Sequence, residues 1–329
     1  FQTFRNTVKR QTEPFWIICG LGNIGHAVIE RLARNNVNVV VIDYDQYSLS
    51  TLELADYGGW VPALMADATV PENLVAAGIA HPDCEGVIAL ASDDTANLKI
   101  AITANQLRVN PNLKVICRSE NQEVARNMES FGTNVVLNPF EIFSNHLGIA
   151  IHSPQLHTLG LWLTDNGETN LTKVKTPPTG RWVVCGYGQL GKSLEIILGK
   201  RKIDVTIIDP APKDHHAPAS SITGLGTEAT TLIEANLATA TGVGAVTADD
   251  ADNLSIIMTA KELCPSLFTI ARLNSTDNEA LFSAAKLDLV MRRDEVLADR
   301  ILAIVDRPLV TQFLRLAHQL SKETVEKLM

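Results

Sequence analysis

The chain has 329 residues and a mass of 35.7 kDa, a length that predicts two domains at about 150 residues per domain. Apolar residues make up 46% of the sequence and charged residues 20%, a composition that excludes disordered, collagen-like and coiled-coil proteins. The net charge of −9 argues against a nucleic-acid partner, because phosphate binding needs a concentrated basic surface.

The cysteines and the apolar stretches argue against several further classes of protein. The five cysteines form no CxxC pair, so neither a disulfide framework nor a zinc site is predicted, and a reducing compartment is favoured. The longest uncharged stretch, 142–164, contains too many polar groups for a bilayer span, and residues 1–14 have no apolar signal-peptide core. We therefore expect a soluble chain. Because residue 1 is Phe rather than Met, we expect it to be a piece of a longer one.

One unit occurs twice in the sequence. WIICGLGNIG at 16–25 recurs as WVVCGYGQLG at 182–191, an offset of 166 that also relates Asp43 to Asp209. Three further pairs follow in the same order, namely ADAT (66–69) with TEAT (227–230), SDDTANL (92–98) with ADDADNL (248–254), and ICRSEN (116–121) with IARLNS (270–275). Landmarks that recur in the same order at closely similar spacing predict two homologous domains.

Strand and helix periodicities alternate along the first copy. The apolar runs predict strands at 15–20, 37–43, 60–65, 86–91, 113–118 and 134–137. The amphipathic stretches between them predict helices at 23–35, 47–56, 71–78, 94–109 and 120–131. Strands separated by helices of this length form βαβ units. The predicted fold class is α/β, with two tandem Rossmann-like, doubly wound parallel-sheet domains.

The second copy repeats this pattern with one loss. Its strands are predicted at 182–186, 203–209, 243–247, 267–272 and 287–291, and the Pro-rich stretch after Asp209 predicts that the second helix is missing. Further helices are expected at 139–163, broken at Pro154, and at 292–305 and 309–328. The last has an apolar face that comprises Val310, Phe313, Leu314, Ala317, Leu320 and Leu328. The expected domains are a linker (1–14), a first Rossmann-like domain (15–152), a connecting helix and linker (153–180), a second domain (181–305) and a C-terminal helix (306–329).

Each copy carries a glycine-rich loop between its first strand and first helix. In such loops the first glycine permits a tight turn, the second lets the backbone approach a pyrophosphate, and the third lets helix and strand pack closely. The phosphates then lie over free N–H groups at the start of the helix. The predicted positions are Gly20, Gly22, Asn23, Ile24 and Gly25 in the first copy and Gly186, Gly188, Gln189, Leu190 and Gly191 in the second.

An acid follows each loop at the end of the second strand. Asp43 and Asp209 are placed to accept hydrogen bonds from ribose hydroxyls. Their charge would repel a 2′-phosphate and no Arg follows either one, so NAD(H) or an adenine nucleotide such as ADP or ATP is favoured over NADP(H). The alternative is an empty Rossmann-like scaffold whose glycines serve only packing.

Other polar residues are weaker candidates for a ligand-binding site. The pairs Asp93-Asp94 and Asp249-Asp250 are most simply helix N-caps. Asp67 and Ser92 follow strands, at the sheet edge where ligands bind. Arg118 and Arg272 end matching strands and could contact a phosphate or an acid. For His146, His152, His157 and the pair His215-His216 we predict solvated or interface residues rather than metal ligands. No metal site and no catalytic residue is predicted.

Taken together, these motifs resemble the RCK domain, also called KTN or TrkA-N, of potassium channels and transporters. The resemblance covers 15–152 and 181–305, and it is carried by the glycine loops, VVVIDYD, ADAT, SDDTANL and ICRSEN with their second set. It implies that Gly20, Gly22, Gly25, Asp43, Asp67, Ser92 and Arg118 are nucleotide-side positions, with Gly186, Gly188, Gly191 and Asp209 matching in the second copy. Glu228 replaces the acid equivalent to Asp67, which weakens the second site.

The resemblance also implies a function. A cytosolic regulatory module without chemistry of its own would bind NAD(H) or an adenine nucleotide, and helix 139–152 would be exchanged between lobes. We expect it at the inner face of the cell membrane, with a channel pore or transporter subunit as partner, as a homo-oligomer that is tetrameric if attached to a channel. The basic residues of the N-terminal segment fit a linker from a pore helix or a disordered tail. The alternatives are an NAD-dependent oxidoreductase, and a scaffold whose second lobe only mediates assembly.

Overall fold

The computed structural model describes residues 2–55, 57, 61–164 and 175–317. The chain divides into two compact units, Phe1–Pro139 with Leu297–Pro308, and Phe140–Val296 with Leu309–Met329. Each unit contains one six-stranded sheet in which all strand pairs are parallel. Among the described helices, none combines the length and the apolar character that crossing a bilayer requires.

The first sheet follows the Rossmann strand order. Its strands are β1 (Phe15–Cys19), β2 (Asn38–Asp43), β3 (Ala63–Met65), β4 (Cys84–Ala89), β5 (Lys114–Arg118) and β6 (Val135–Leu137). They lie in the order β3-β2-β1-β4-β5-β6, which reverses direction between β1 and β4 and leaves a crevice at the carboxyl ends of these two strands. All five residues of β1 are buried, as expected for a central strand covered by helices on both faces. The predicted doubly wound sheet is confirmed.

Helices connect these strands close to the predicted positions. They are α1 (Gln2–Lys9), α2 (Asn23–Arg34), α3 (Gln46–Leu54), α4 (Pro71–Ala76), α5 (Asp94–Leu107) and α6 (Gln122–Ser130). Helix α1 was not predicted, and for residues 2–9 the disordered-tail alternative is wrong. Val8 is 3% exposed and belongs to the same core cluster as Phe15, and Phe4, one turn earlier, packs against that cluster. The two residues lie on one face of the helix.

Two helices follow the first sheet in the chain, α7 (Pro139–His152) and α8 (Pro154–Thr164). The predicted break at Pro154 is therefore present. Helix α7 belongs to the second unit, where Phe140, Leu147 and Ile151 share a core cluster with Trp182. The repeat in the sequence places 140–152 with the first domain, whereas the compact units place it with the second, because its apolar face packs on the second sheet.

The second sheet has the same strand order as the first. Its strands are β7 (Trp182–Cys185), β8 (Val205–Asp209), β9 (Ile222–Thr223), β10 (Gly242–Ala245), β11 (Phe268–Leu273) and β12 (Leu289–Arg292), in the order β12-β11-β10-β7-β8-β9. The helices are α9 (Gln189–Lys200), α10 (Ala229–Glu234), α11 (Asp250–Leu263) and α12 (Glu279–Ala284), with short 3-10 helices at Leu237–Thr239 and Thr276–Asn278. Turns replace the second helix after β8, as predicted. Strand β9 was missed because two residues are too short for a periodic signal.

The last helices are α13 (Arg293–Val305) and α14 (Pro308–Ala317). From Leu297 onward α13 belongs to the first unit, where Asp299 forms an ion pair with Arg31. Helix α14 belongs to the second unit, and its residues Phe313 and Leu314 pack against a cluster on α8. Leu320 and Leu328 of the predicted apolar face lie outside the described residues, as do residues 165–174 at the predicted linker.

In each sheet a tryptophan lies opposite a glycine on the neighbouring central strand. Trp16 pairs with Gly86 across β1 and β4, and Trp182 pairs with Gly242 across β7 and β10. A Cβ on Gly86 would lie 2.3 Å from the indole of Trp16, and one on Gly242 would lie 2.6 Å from the indole of Trp182. A strand glycine therefore makes room for the indole in both copies, which explains why the residue that pairs with each Trp is a glycine.

Candidate functional site

The outer glycines of both loops are required by the chain itself. Gly20 has a φ of +101°, and a Cβ there would lie 2.9 Å from the backbone nitrogen of Ala91. A Cβ on Gly25 would lie 2.3 Å from the carbonyl oxygen of Gly20. Gly186 has the same φ of +101°, and a Cβ on Gly191 would lie 2.1 Å from its carbonyl oxygen. Backbone conformation and close packing of helix on loop explain all four glycines.

The middle glycine of each loop has no such explanation. Gly22 has a φ of −61° and Gly188 a φ of −72°, values that any residue adopts. A Cβ on either would meet no described atom within 4 Å, and both residues are exposed. Neither backbone conformation nor packing within the described chain therefore demands a glycine here. The open space beside the backbone is what the close approach of an external group would use.

The helices that follow the loops begin without side-chain caps. The N-cap positions of α2 and α9 are glycines with no side-chain hydrogen bond, whereas α5 is capped by Asp93. The first N–H groups of a helix have no partner within the helix and carry the positive end of its dipole. These N–H groups are therefore available to donate hydrogen bonds to an anion above either loop. The predicted residues at these starts are Asn23 and Ile24 in the first copy and Gln189 and Leu190 in the second.

Asp43 joins the end of β2 to the first loop. Its Oδ2 accepts a hydrogen bond from the N–H of Leu21 at 2.5 Å, and its Oδ1 accepts one from the N–H of Asp45 at 2.7 Å. The side chain is 9% exposed, and no side chain in the described part of the chain donates to it. Each carboxylate oxygen can accept more than one hydrogen bond, so Asp43 keeps capacity for a further donor.

The other predicted residues of the first copy follow neighbouring strands. Asp67 and Ser92 lie just beyond β3 and β4 and are exposed, and Asp67 accepts from the N–H of Thr69 at 2.8 Å. Arg118 ends β5, is 8% exposed and forms a 2.5 Å ion pair with Glu120. Its buried Nε has no partner among the described residues. The parallel sheet brings these residues to the edge that carries the glycine loop and Asp43.

The aspartate pairs divide into two roles. Asp93 accepts from the N–H of Thr95, which confirms the predicted N-cap. Asp94 instead accepts from the N–H groups of Glu120 and Asn121 at 2.9 and 2.8 Å, and so holds the loop after β5. The second copy repeats both roles, with Asp249 capping α11 and Asp250 accepting from Asn274, Ser275 and Asn278. For Asp94 and Asp250, N-capping alone is therefore the wrong interpretation.

The acid of the second copy has an additional partner. Asp209 is 2% exposed. Its Oδ2 accepts from the N–H of Tyr187, and its Oδ1 accepts from the N–H of Ala211 and from Nδ1 of His215, each at 2.8 Å. His215 is exposed, with 47% of its side chain accessible, as expected for a solvated residue. The sequence did not predict its contact with Asp209, which arises because the turns that replace the missing helix carry its imidazole to the carboxylate. No sequence signal marks a contact of this kind.

Arg272 of the second copy makes a different contact from Arg118. Its guanidinium lies 5.0 Å from the ring centroid of Phe140, an arrangement typical of a cation–π contact. The sequence offered a phosphate or an acid as its partner, but an aromatic ring was not foreseen, because Phe140 reaches it from the helix α7 that precedes the second copy. Glu228, which stands in place of Asp67, lies at the N-cap position of α10 without a capping hydrogen bond.

Sequence reasoning missed a polar cluster beside the first loop. Nδ1 of His26 lies 2.6 Å from the hydroxyl of Tyr57, and its Nε2 lies 2.9 Å from the hydroxyl of Thr51. Burial lowers the pKa of His26, and the nearby charge of Asp43 opposes that shift. The partners lie 31 and 25 residues away in sequence, so spacing could not reveal them. An aromatic surface also adjoins Asp43, because Tyr44 is 78% exposed.

The cysteines contribute to the core rather than to a site. Cys19, Cys84, Cys117 and Cys185 are buried, and burial raises the pKa of the last three thiols to about 12. Within the described ranges, no three His, Cys, Asp or Glu residues are grouped so that they could hold a metal ion.

The sequence matches one family model and a probable potassium channel protein. The family model of the TrkA-N domain matches residues 16–139 and 182–293. Probable potassium channel protein 2 of Methanocaldococcus jannaschii is 26% identical over 234 residues, which cover 68% of this chain and 66% of that protein. The chain thus spans about two thirds of this relative's length.

Two solved structures share the fold across most of the chain. The GsuK channel bound to NAD matches with a TM-score of 0.68 and 17% identity, covering 91% of this chain and 65% of that one. GsuK bound to ADP matches with a TM-score of 0.65 and 19% identity, covering 91% of this chain and 70% of that one. At these identities the likeness concerns the fold.

Proposed function

Because the chain belongs to the TrkA-N domain family, we propose that it is a regulatory module that senses a nucleotide and gates a potassium channel or a potassium uptake system. The similarity to a probable potassium channel protein supports this class over an oxidoreductase. The module itself carries out no reaction. A dehydrogenase would need a substrate domain with an acid–base residue facing the nicotinamide, and here two dinucleotide-type lobes take up most of the chain.

The observation that carries the nucleotide proposal is the open space at Gly22. The chain needs glycine at positions 20 and 25 for its own packing, but at position 22 a Cβ would meet no described atom within 4 Å. A pyrophosphate that approaches the backbone at this point accounts for the glycine. The uncapped start of α2 supplies N–H donors and a positive dipole end to the same place.

The remaining positions of the first copy fit the rest of an adenine dinucleotide or adenine nucleotide. Asp43 would accept a hydrogen bond from a ribose hydroxyl, and its charge disfavours a 2′-phosphate. The exposed ring of Tyr44 offers a surface for adenine to stack on. The buried guanidinium of Arg118 would contact a phosphate in competition with Glu120. Asp67 and Ser92 would line the outer part of the crevice. The ligands of the two GsuK structures, NAD and ADP, support NAD(H) or an adenine nucleotide.

In the second copy we assign the corresponding loop positions to the same ligand class. They are Gly186, Gly188, Gln189, Leu190 and Gly191, together with Asp209. The open space at Gly188 supports this assignment, whereas the Pro-rich turns after β8 remove the side of the site that would enclose adenine. We therefore expect the first lobe to bind more tightly than the second.

Regulation would act through assembly. A bound nucleotide stabilises one arrangement of the lobes over another, and that shift in population would bias an attached pore or transporter subunit. The domains that move would be 15–152 and 181–305, except that 140–152 would move with the second and 297–305 with the first, as the compact units divide the chain. We place the module at the cytoplasmic face of the membrane, as a homo-oligomer that is a tetramer when a channel pore is attached, because potassium pores carry four filter loops.

The test is calorimetric titration of the chain with NAD+, NADH, ADP and ATP. Gly22→Val fills the open space with a side chain that the local backbone accepts, so it should abolish binding to the first lobe while lowering stability only by the weaker N-cap preference of Val, about 1 kcal/mol. Asp43→Ala should weaken binding by about ten- to a hundredfold, the value of a charge-assisted hydrogen bond. The matched control is Gly199→Ala, since Gly199 also has open space but lies at the far end of α9.

Two results would contradict the proposal. Unchanged affinity in Gly22→Val would mean that the loop is an empty scaffold. Turnover of NADH with carbonyl substrates at enzymatic rates, about 1 s⁻¹ or faster, would favour an oxidoreductase instead.

A further inference from the structure

The two copies differ in the groups that donate hydrogen bonds to the aspartate at the end of the second strand. In the first copy both hydrogen bonds to Asp43 come from backbone N–H groups, those of Leu21 and Asp45. In the second copy Asp209 accepts two backbone hydrogen bonds and a third from the imidazole of His215. The difference lies in one side chain, which reaches the carboxylate oxygen Oδ1 at 2.8 Å.

The local chain explains why a side chain reaches Asp209 but not Asp43. After β2 the chain enters α3, and Asp45 caps that helix by accepting from the N–H groups of Tyr47 and Ser48. After β8 residues 211–216 form turns instead, and the N–H of His215 donates to the carbonyl of Ala211 at 3.1 Å. This turn folds His215 back over the end of the strand.

The imidazole uses the acceptor that a ribose would need. A carboxylate oxygen only accepts hydrogen bonds, so Nδ1–H of His215 is the donor to Oδ1. Oδ1 also accepts from Ala211, which uses both of its lone pairs. Oδ2 accepts from Tyr187, and the whole residue is only 2% exposed. A ribose hydroxyl could bond to Oδ1 of Asp209 only after the imidazole had left.

We propose that His215 is a specificity-determining residue that keeps the second lobe closed to nucleosides, because it occupies the ribose-binding oxygen of Asp209. This inference rests on the proposed function, namely that the glycine loops bind nucleotides. The loop itself remains built for a ligand, since a Cβ on Gly188 would meet no described atom within 4 Å. The second lobe is therefore a site blocked by its own chain, and it opens when residues 211–216 move His215 away from Asp209.

The experiment uses the full chain with the first lobe silenced by Gly22→Val, so that only the second lobe is measured. NAD+ and ADP are titrated calorimetrically into this background, with and without His215→Ala. We expect His215→Ala to tighten binding by at least about tenfold, because the ligand no longer displaces a charged hydrogen bond. In a chain with an intact Gly22, His215→Ala should raise the stoichiometry from one nucleotide per chain to two.

Two controls separate the hydrogen bond from other effects of the substitution. His216→Ala changes the neighbouring exposed histidine and should leave the second lobe closed. His215→Asn retains an N–H donor within reach of Asp209 and should also leave it closed. Opening of the site by either control would overturn the assignment to the His215–Asp209 hydrogen bond.

The failure of this inference is distinguishable from the failure of the proposed function. If the first lobe binds nucleotide and His215→Ala leaves the second lobe unchanged, the inference is wrong and the proposed function stands. If neither the wild-type chain nor His215→Ala binds any nucleotide, both are wrong. Binding at the second lobe only in His215→Ala supports the inference, whatever the first lobe does.

Discussion

The side-chain amide of Asn97 donates to the carbonyl oxygen of Arg118 at 3.0 Å, and Asn253 makes the same bond to Arg272 at 2.9 Å in the second copy. Asn97 also exchanges two hydrogen bonds with the backbone of Ala91, each at 2.9 Å. One buried amide therefore joins the end of β4 to the end of β5. Both strand ends border the candidate site, so this asparagine determines the shape of the crevice although it need not contact a ligand.

Asn97→Ala should destabilise the first unit by about 2–4 kcal/mol, because it leaves three backbone groups without partners in a fully buried place. Chemical denaturation followed by circular dichroism measures the loss. The matched control is Thr95→Ala, which changes an exposed residue in the first turn of the same helix and should shift the free energy of unfolding by less than about 0.5 kcal/mol. Equal effects from the two variants would contradict this role for Asn97.

The repeat made most of the fold predictable from the sequence. Glycine loops, alternating periodicities and the acids at the strand ends predicted both parallel sheets, the break at Pro154 and the helix missing after Asp209. The sequence could not predict which sheet α7 covers, because Phe140 and its neighbours show only that one face is apolar. The same limit applies to α1, where one buried residue, Val8, anchors the helix.

The candidate site was predictable only where spacing carries the information. The loops and acids follow from local geometry, so their positions could be read directly. The pairing of His215 with Asp209 depends on the path of an irregular turn, and the His26–Tyr57 contact joins residues 31 positions apart. The sequence predicts only capping for the pair Asp93-Asp94, whereas Asp94 holds the loop after β5 and Asn97 bonds to the end of that strand.

Gly25→Ala and Gly22→Ala should separate folding from binding within one loop. At position 25 a Cβ would overlap the carbonyl oxygen of Gly20 at 2.3 Å, so α2 must move away from the strand at a cost of about 1–3 kcal/mol. At position 22 the space is open, so the only cost is the weaker N-cap preference of Ala, below about 1 kcal/mol, while nucleotide affinity falls. Thermal unfolding and calorimetric titration of both variants provide the measurements. A stability loss in Gly22→Ala equal to that in Gly25→Ala would contradict the distinction.

The native chain should react with a thiol reagent at Cys264 before any other cysteine. Cys264 is partly exposed, whereas the other four are buried, and burial raises the pKa of Cys84, Cys117 and Cys185 to about 12. Because the thiolate is the reactive form, an Ellman assay should show one fast thiol in the native state and five in denaturant. Cys264→Ser should remove the fast phase. A fast phase that persists in this variant would show that a core strand opens readily.

The stability of the first unit should fall as the pH drops below the ordinary pKa of histidine, about 6.5. Burial lowers the pKa of His26 in the folded chain, so between that lowered value and 6.5 the unfolded state binds more protons than the folded state. Its contribution to stability is therefore present above pH 6.5 and is lost as the pH falls through the folded pKa. His157 in the second unit shows a shift of the same direction and cause, so each must be removed separately.

His26→Gln should flatten the dependence of unfolding free energy on pH between about pH 5 and 7, because glutamine can still hydrogen-bond to Tyr57 or Thr51 but does not titrate. Urea denaturation across this range, with fluorescence and circular dichroism as probes, gives the slope. His152→Gln is the matched control, since His152 is exposed at the end of α7, and it should leave the slope as it is in the wild type. An unchanged slope in His26→Gln would mean that His26 is as accessible to protons in the folded chain as in the unfolded one. The hydrogen bond between His26 and Tyr57 would then open readily in the folded chain.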